Sequence, residues 1–476
     1  MLEERKTIEA RLSASPEVYR HTKFMARFEK AFPWLLVGGA VLGLLETYRK
    51  NANDRAKSNA DIKAALKNQE HQTEVLKERK AERRERYTKA VEQLGNEKAP
   101  VRMGGVYTLI GLADEWLLDE NLDYAEKVRE GQVIVNNLCA YIRSPFTLTS
   151  YYDELSEDAP SLEGSYKDKK EKFYADKAIL DSEADVRLSI IKEIHDRLQG
   201  PKENTPGTWS DFEYDFSGSV FFYPVDLTKS YYKKPINFSG STYEDEADFR
   251  HSTYQGEANF SRSTYQGWAY FRHSTYQGGA YFRHSTYQGW ADFSGSTYQD
   301  KVRFSHSTYR GRADFGNSIY LEEADLRRST YQDEADFSGS VFYREIYFGY
   351  STYSPSFSRL TGCAPQFYDE TNRKNTLFGS PDNDFSVENG RGYPVYRSLD
   401  GLPLGCAFLT TEQKEYLADK FQEIEKIQNK LLEVKDPKEK AELSKNLQAL
   451  TEKLHEWREE ATTVKVEGTA LGEEDN

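Results

Sequence analysis

Four sets of residues in this 476-residue chain have types and spacings that could do chemistry. His251 and His273 stand 22 residues apart, as do His284 and His306. Imidazoles stacked at that interval could ligate a metal ion. Each pair lacks a third ligand type recurring beside it, so the four rings read as decoration of an exposed face. Asp recurs in Ala-Asp-Phe units, at Asp248, Asp292 and Asp336. Paired carboxylates could exchange protons, but strand alternation turns these outward, toward solvent. Trp268, Trp290 and Arg312 also follow one another at intervals of 22. Two exposed indoles beside a guanidinium would form an aromatic ladder with a cation–π contact, a composition enriched in binding hot spots. The alternative is that the ladder packs against residues 361–407 or a C-terminal helical hairpin. Cys139, Cys363 and Cys406 lie far apart, which gives neither a disulfide framework nor a zinc signature; free thiols fit a reducing compartment. No phosphate loop, H-E-x-x-H or G-x-S-x-G motif occurs. These residues predict no catalytic set, no metal and no cofactor, with Trp268, Trp290 and Arg312 as the candidate partner contact.

What must position them is a repeat. Tyr243, Tyr254, Tyr265, Tyr276, Tyr287, Tyr298, Tyr309, Tyr320 and Tyr331 recur every 11 residues. Between them, on the same period, stand Phe238, Phe249, Phe260, Phe271, Phe282, Phe293, Phe304, Phe315, Leu326 and Phe337. A small residue precedes each Phe by two, as at Ala247 and Ala291, and Ser precedes each Tyr by two, as at Ser252 and Ser274. Positions two apart share one face of a strand, so each short strand buries a small and a large side chain and then turns. The period is too short for a helical hairpin and too regular for a sandwich. A chain that coils and stacks on itself buries such groups without a second layer. The 22-residue recurrence of His and Trp implies two repeats per coil. Four inward columns follow, two of Phe and two of Tyr. From Asp215 to Tyr353 this predicts six to seven coils, about 4.8 Å apart and so about 30 Å in all. Each buried phenol needs a hydrogen-bond partner, and the sequence does not place one.

Composition agrees. Aromatic residues make up 14%, with 33 Tyr and 26 Phe, against 38% hydrophobic residues in total. Such a core must be built from rings. The formal charge of −14 argues against a general nucleic-acid binder.

Around the repeat the patterning is helical. Residues 1–30 form an N-terminal tail. Residues 31–48 form a candidate transmembrane helix: the uncharged stretch Ala31–Leu45 spans about 22 Å, short of the ~30 Å hydrocarbon core, with Trp34 and Tyr48 placed for the interfaces. Gly39 and Gly43 form a GxxxG pair suited to a helix dimer. Lys and Arg flank both ends alike, so charge does not orient the span. Residues 49–97 read as a charged helical stalk, and 98–200 as a helical region with an acidic loop or linker over 150–178. The β-helix occupies 201–360, an irregular cap 361–407, a helical hairpin 408–460 and a disordered tail 461–476.

The units Ala247-Asp248-Phe249-Arg250-His251, Ala291-Asp292-Phe293-Ser294-Gly295 and Ala335-Asp336-Phe337-Ser338-Gly339 resemble those of pentapeptide-repeat proteins. Alternate units read Ser-Thr-Tyr, and one extra residue per pair resembles a low-complexity bacterial subgroup. Upstream, the stretches Arg86–Gly95 and Val101–Tyr107 look like the helical region of membrane-anchored bacterial members. The resemblance covers most of residues 30–355. It implies a right-handed quadrilateral parallel β-helix, an inner-membrane anchor and a cytoplasmic repeat domain.

The function expected is a non-enzymatic, membrane-tethered scaffold presenting a rigid β-helix to an unknown protein partner, with a homodimer through Gly39 and Gly43. No nucleic-acid partner is expected. The second reading is a DNA mimic that binds a topoisomerase, as some pentapeptide-repeat proteins do. From Ser241 to Tyr353, 15 Asp or Glu stand against 11 Lys or Arg, a net charge of −4, which weakens mimicry. An enzyme with an unrecognised site is the third.

Overall fold

The structure, a computed structural model, describes residues 55–353, 365–386, 395–434 and 436–464. The chain divides into two compact units, one comprising residues up to Thr88 together with Asp119–Lys127, the other Lys89–Leu118 with everything from Val128 onward. In the first unit, helix α1 (Arg55–Leu94, continuing into the second) is charged along its length. Lys80 pairs there with Glu126 at 2.5 Å and Arg83 with Asp119 at 2.7 Å.

Among the described residues no helix is long and apolar enough to cross a membrane. The expected single-pass inner-membrane location is corrected on that ground. The most apolar helix, α2 (Ala99–Leu118), is 20 residues long, but Arg102 and Asp114 on it are committed to ion pairs with Glu183 and Arg197. The segment 31–48 that carried the expectation, with Gly39 and Gly43, lies outside the described residues.

In the second unit, α3 (Tyr124–Arg143) is hydrogen-bonded to α5 (Lys170–Leu198), which packs with α2; a 3-10 turn (Thr147–Tyr151) and the short α4 (Tyr152–Leu155) lie between α3 and α5 in the chain. The stretch 150–178, read as a linker, is thus partly helical, because Leu155, Tyr166 and Phe173 are buried in it. Leu109, Leu112, Leu138, Ile142, Val186 and Ile190 are fully buried. Among them Arg187, 2% exposed, donates to Glu183, to the Ile142 carbonyl and to the Ser144 carbonyl at 2.7–2.8 Å. A buried guanidinium is tolerable only when its donors are satisfied in this way.

These helices close the first coil of the solenoid. Trp209, fully buried, donates its indole N–H to Asp114 at 2.8 Å, and Arg197 lies over its ring. His195 meets the Thr228 carbonyl, and Arg143 pairs with Asp215. An open first coil would expose unpaired strand edges.

The solenoid is parallel throughout and makes about six turns. Its two-residue strands fall into four sheets, each taking every fourth strand in chain order. Sheet I runs from Tyr214–Asp215 to Ile346–Tyr347, sheet II from Val220–Phe221 to Thr352–Tyr353 and sheet III from Val225–Asp226 to Ala335–Asp336. Sheet IV runs from Tyr231–Tyr232 to Val341–Phe342 and then takes in Leu377–Phe378 and Ala407–Phe408. Partners are 22 residues apart, as in Thr264 with Thr286 and Ala269 with Ala291.

Rings fill the interior in register. Phe260 and Phe282 stack at 5.2 Å and 2°, Tyr265 and Tyr287 at 4.8 Å and 2°. The two Phe columns meet edge-to-face, as in Phe249 with Phe260 at 5.1 Å, the arrangement favoured by the ring quadrupole.

At two of the four corners of each coil, those leading into sheets II and IV, a serine ties the coil to the one before it. Ser285 Oγ donates to the Phe260 carbonyl of the preceding coil at 3.2 Å and accepts the Ser263 amide at 3.2 Å. The same pair of bonds recurs along both serine columns. This leaves the tyrosine hydroxyls stranded. Tyr320 reaches the Phe315 carbonyl at 3.3 Å. Tyr243, Tyr254, Tyr265, Tyr276, Tyr287, Tyr298 and Tyr309 bury hydroxyls that find no protein partner, because the serine two residues before each is already committed. Burial holds these phenols well above their ordinary range.

A second device makes the corners. The residue before each serine has positive φ, from Gly218 through Lys229, Gly240, His251, Arg262, His273, His284, Gly295, His306, Asn317, Arg328 and Gly339 to Tyr350. Left-handed backbone favours Gly, and among other residues Asn, Asp and His. The histidine columns therefore follow from corner geometry.

Beyond the last full coil, Phe367, Phe378 and Phe385 stack on Phe337, Phe342 and Phe348 and continue three interior columns. Helices α6 (Thr411–Glu433) and α7 (Pro437–Thr462) pack against sheet IV. There Ile319 and Val341 replace the outward Thr of earlier coils and meet Leu417, Ile424, Leu447 and Leu454.

Two substitutions of nearly equal size should act oppositely. Tyr276→Phe removes a buried unpaired hydroxyl, whose burial costs about 1–3 kcal/mol, and should raise unfolding free energy in urea titrations. Ser285→Ala leaves the Ser263 amide unpaired and should lower it by about 1–3 kcal/mol. A destabilised Tyr276→Phe protein would mean that the hydroxyl has a partner.

Candidate functional site

The local rule that makes a strand here is a small inward residue followed by an outward polar one. On sheet III the outward positions are Asp226, Asp248, Tyr270, Asp292, Asp314 and Asp336. Each Asp accepts the amide two residues on through Oδ1, as in Asp292 with Ser294 at 3.1 Å and Asp336 with Ser338 at 2.8 Å. Asn237 and Asn259 do the same on sheet I. The side chain thus closes the corner as an Asx turn. That corrects the expectation of solvated carboxylates: Asp292 is 1% exposed.

Tyr270 breaks the Asp column and completes the aromatic ladder. Trp268 meets it edge-on at 6.1 Å, and Trp290 meets it from the next coil at 5.7 Å. The Arg312 guanidinium lies 5.9 Å from the Trp290 ring and 3.4–3.5 Å from the carboxylates of Asp314 and Asp336. On the other side Arg250 lies 5.1 Å over Tyr270 and pairs with Asp248. The structure therefore brings Trp268, Trp290 and Arg312 onto one corner, between sheets II and III. Trp268 is 54% exposed. The Trp290 indole N–H is buried and has no acceptor.

The ladder packs against neither α6 nor α7, whose packing cluster lies on sheet IV. Reading by spacing alone missed Tyr270 and Arg250. The signal was present, since Tyr270 stands where the neighbouring coils place Asp248 and Asp292.

The histidines stack in pairs, His251 with His273 at 5.0 Å and His284 with His306 at 4.6 Å. Among the described residues no group of three or more His, Cys, Asp or Glu side chains is placed to hold a metal ion. Cys139 is buried, with its thiol pushed up to about 12 by burial, and Cys406 likewise; neither is an activated nucleophile.

Compared with known proteins, the chain matches no family model, no curated protein and no solved structure.

Asp314 is pushed up to about 7, first by burial and then by the neighbouring Asp336 carboxylate. A folded-state pKa raised above the unfolded one means that the folded chain holds this proton more tightly. The associated stability is fully present below the unfolded value and is lost as pH rises through about 7. Asp314→Asn keeps the acceptor for the Gly316 amide without the titrating proton. It should flatten the fall in urea midpoint between about pH 4 and 7; an unchanged profile would place the titration elsewhere.

Proposed function

We propose that this chain is a non-enzymatic interaction scaffold of the pentapeptide-repeat kind, binding a protein partner through the Trp268–Tyr270–Trp290–Arg312 corner. One observation carries this reading: a half-exposed indole heads an aromatic ladder whose guanidinium is pinned by two carboxylates. Aromatic and arginine side chains held rigid pay little ordering entropy on binding, which is why they dominate interface energetics. The four-sheet coil with its Phe columns supports the pentapeptide-repeat assignment. A solenoid also suits a scaffold physically, since its stacked coils hold side chains at fixed intervals along a face.

The DNA-mimic reading is not favoured. Mimicry needs a continuous acidic surface, whereas this solenoid carries exposed Arg262, Arg283, Arg310, Arg312, Arg327 and Arg328.

Trp268→Ala combined with Trp290→Ala removes the ladder without touching the interior columns. A photo-crosslinking amino acid placed at Gln266 should capture protein from native lysate in the wild type and lose most of that capture in the double variant. The thermal transition should stay within a few degrees. Equal capture by both proteins would sink the assignment of this corner.

A further inference from the structure

The corner between sheets I and II differs in charge from every other. Over four successive coils its two central residues are Ser261-Arg262, Arg283-His284, Ser305-His306 and Arg327-Arg328. All six of the cationic or imidazole side chains are exposed. Tyr350 follows at the next coil, 67% exposed, with Arg328 over its ring at 5.9 Å. Arg303 lies beside this row on sheet I, and with Arg283 brackets the Tyr281 ring at 5.9 Å.

The corner between sheets III and IV provides an internal comparison. It also carries cations, but Arg250 pairs there with Asp248, Arg272 with Asp292 and His251 with Glu203. On the sheet I–II corner Arg327 pairs with Asp325, whereas Arg262, Arg283, Arg303 and Arg328 make no ion pair among the described residues. His284 and His306 stack at 4.6 Å with no carboxylate beside them. His284 is held below the ordinary imidazole range by burial, then by His306, Arg262 and Arg283. In a chain of net charge −14, a row of arginines without carboxylate partners is a local positive strip that attracts an anionic ligand. Alongside runs the half-exposed hydroxyl column Thr264, Thr286, Thr308 and Thr330 of sheet II.

We infer that this ridge, Arg262–Arg283–His284–His306–Arg328, docks an acidic, extended polypeptide segment. The inference rests on the scaffold reading and adds a second contact on a different corner. The ridge spans four coils and so extends for about 14 Å, three coil steps, the reach of about four extended residues. Guanidinium groups match carboxylates in bidentate geometry, and the threonine hydroxyls offer further donors. A nucleic-acid strand fits less well. Apart from Tyr350 at one end and the imidazoles of His284 and His306, which already stack on each other, no exposed ring lies in the row on which bases could stack. The far corner of sheet II is acidic at both ends, with Glu244, Asp245 and Glu246 at one and Asp333 and Glu334 at the other. A polymer charged at every unit meets repulsion there, whereas a peptide can place neutral residues.

The test is fluorescence anisotropy of the full chain with a labelled 20-residue poly-glutamate and with a labelled 20-nucleotide oligo-dT. The ridge variant combines Arg262→Asn, Arg283→Glu and Arg328→Asn; Asn suits the left-handed backbone at 262 and 328. The expected result is salt-sensitive binding of poly-glutamate, at least tenfold weaker in the ridge variant and unchanged in the Trp268→Ala, Trp290→Ala protein. Oligo-dT binding tighter than poly-glutamate and lost in the ridge variant would overturn the partner class. No peptide binding, or equal binding by the ridge variant with an unchanged thermal transition, would overturn the ridge itself. Either failure leaves capture through the tryptophan corner standing as a separate measurement.

Discussion

Each coil must land on the one before it in a single register, because the interior of the regular repeat consists of rings that stack on their own kind, Phe on Phe and Tyr on Tyr. A slip of one residue would turn every inward ring outward. A slip of half a repeat, five or six residues, would set Phe over Tyr and drive the hydroxyls into the Phe stacks. Register is enforced by the serine hydroxyl that donates to a carbonyl and accepts an amide of the coil before it, and by the left-handed residue that precedes it. These two backbone devices, rather than the rings, fix where the coil turns.

That economy has a cost at the tyrosines. The serine that could have met each phenol is spent on the backbone, and seven hydroxyls lie buried without a protein partner. The stack tolerates them because each ring gains parallel contact at 4.7–4.9 Å with its column neighbours and edge contact with a Phe. Dispersion and apolar burial offset the lost hydration.

With the interior nearly invariant, information resides in the outward positions and corners. Where sheet IV must receive α6 and α7, outward Thr gives way to Ile319 and Val341. Where the Asp column of sheet III gives way to Tyr270, an aromatic ladder assembles. Where carboxylates are withheld from the sheet I–II corner, arginines stand unneutralised. Each departure from the repeat marks a surface with a different task.

The 11-residue spacing of Phe and Tyr, with Ser and Ala two before them, together with the 22-residue recurrence of His and Trp, was enough to determine the coil of two repeats, its four columns and the alignment of Trp268, Trp290 and Arg312. Those are properties of local periodicity, and a strictly periodic chain that buries rings has few alternatives. Spacing could not show that Asp292 turns back to its own backbone, that the serine hydroxyls are used between coils, or that Tyr270 and Arg250 join the ladder. The first is a local turn that closes two residues on; the other two depend on which groups come within hydrogen-bonding or ring contact across coils, 20 to 25 residues apart in sequence. The unequal neutralisation of the two cationic corners was equally hidden, because ion pairing is set by which strand lies alongside. Only the folded coil decided it.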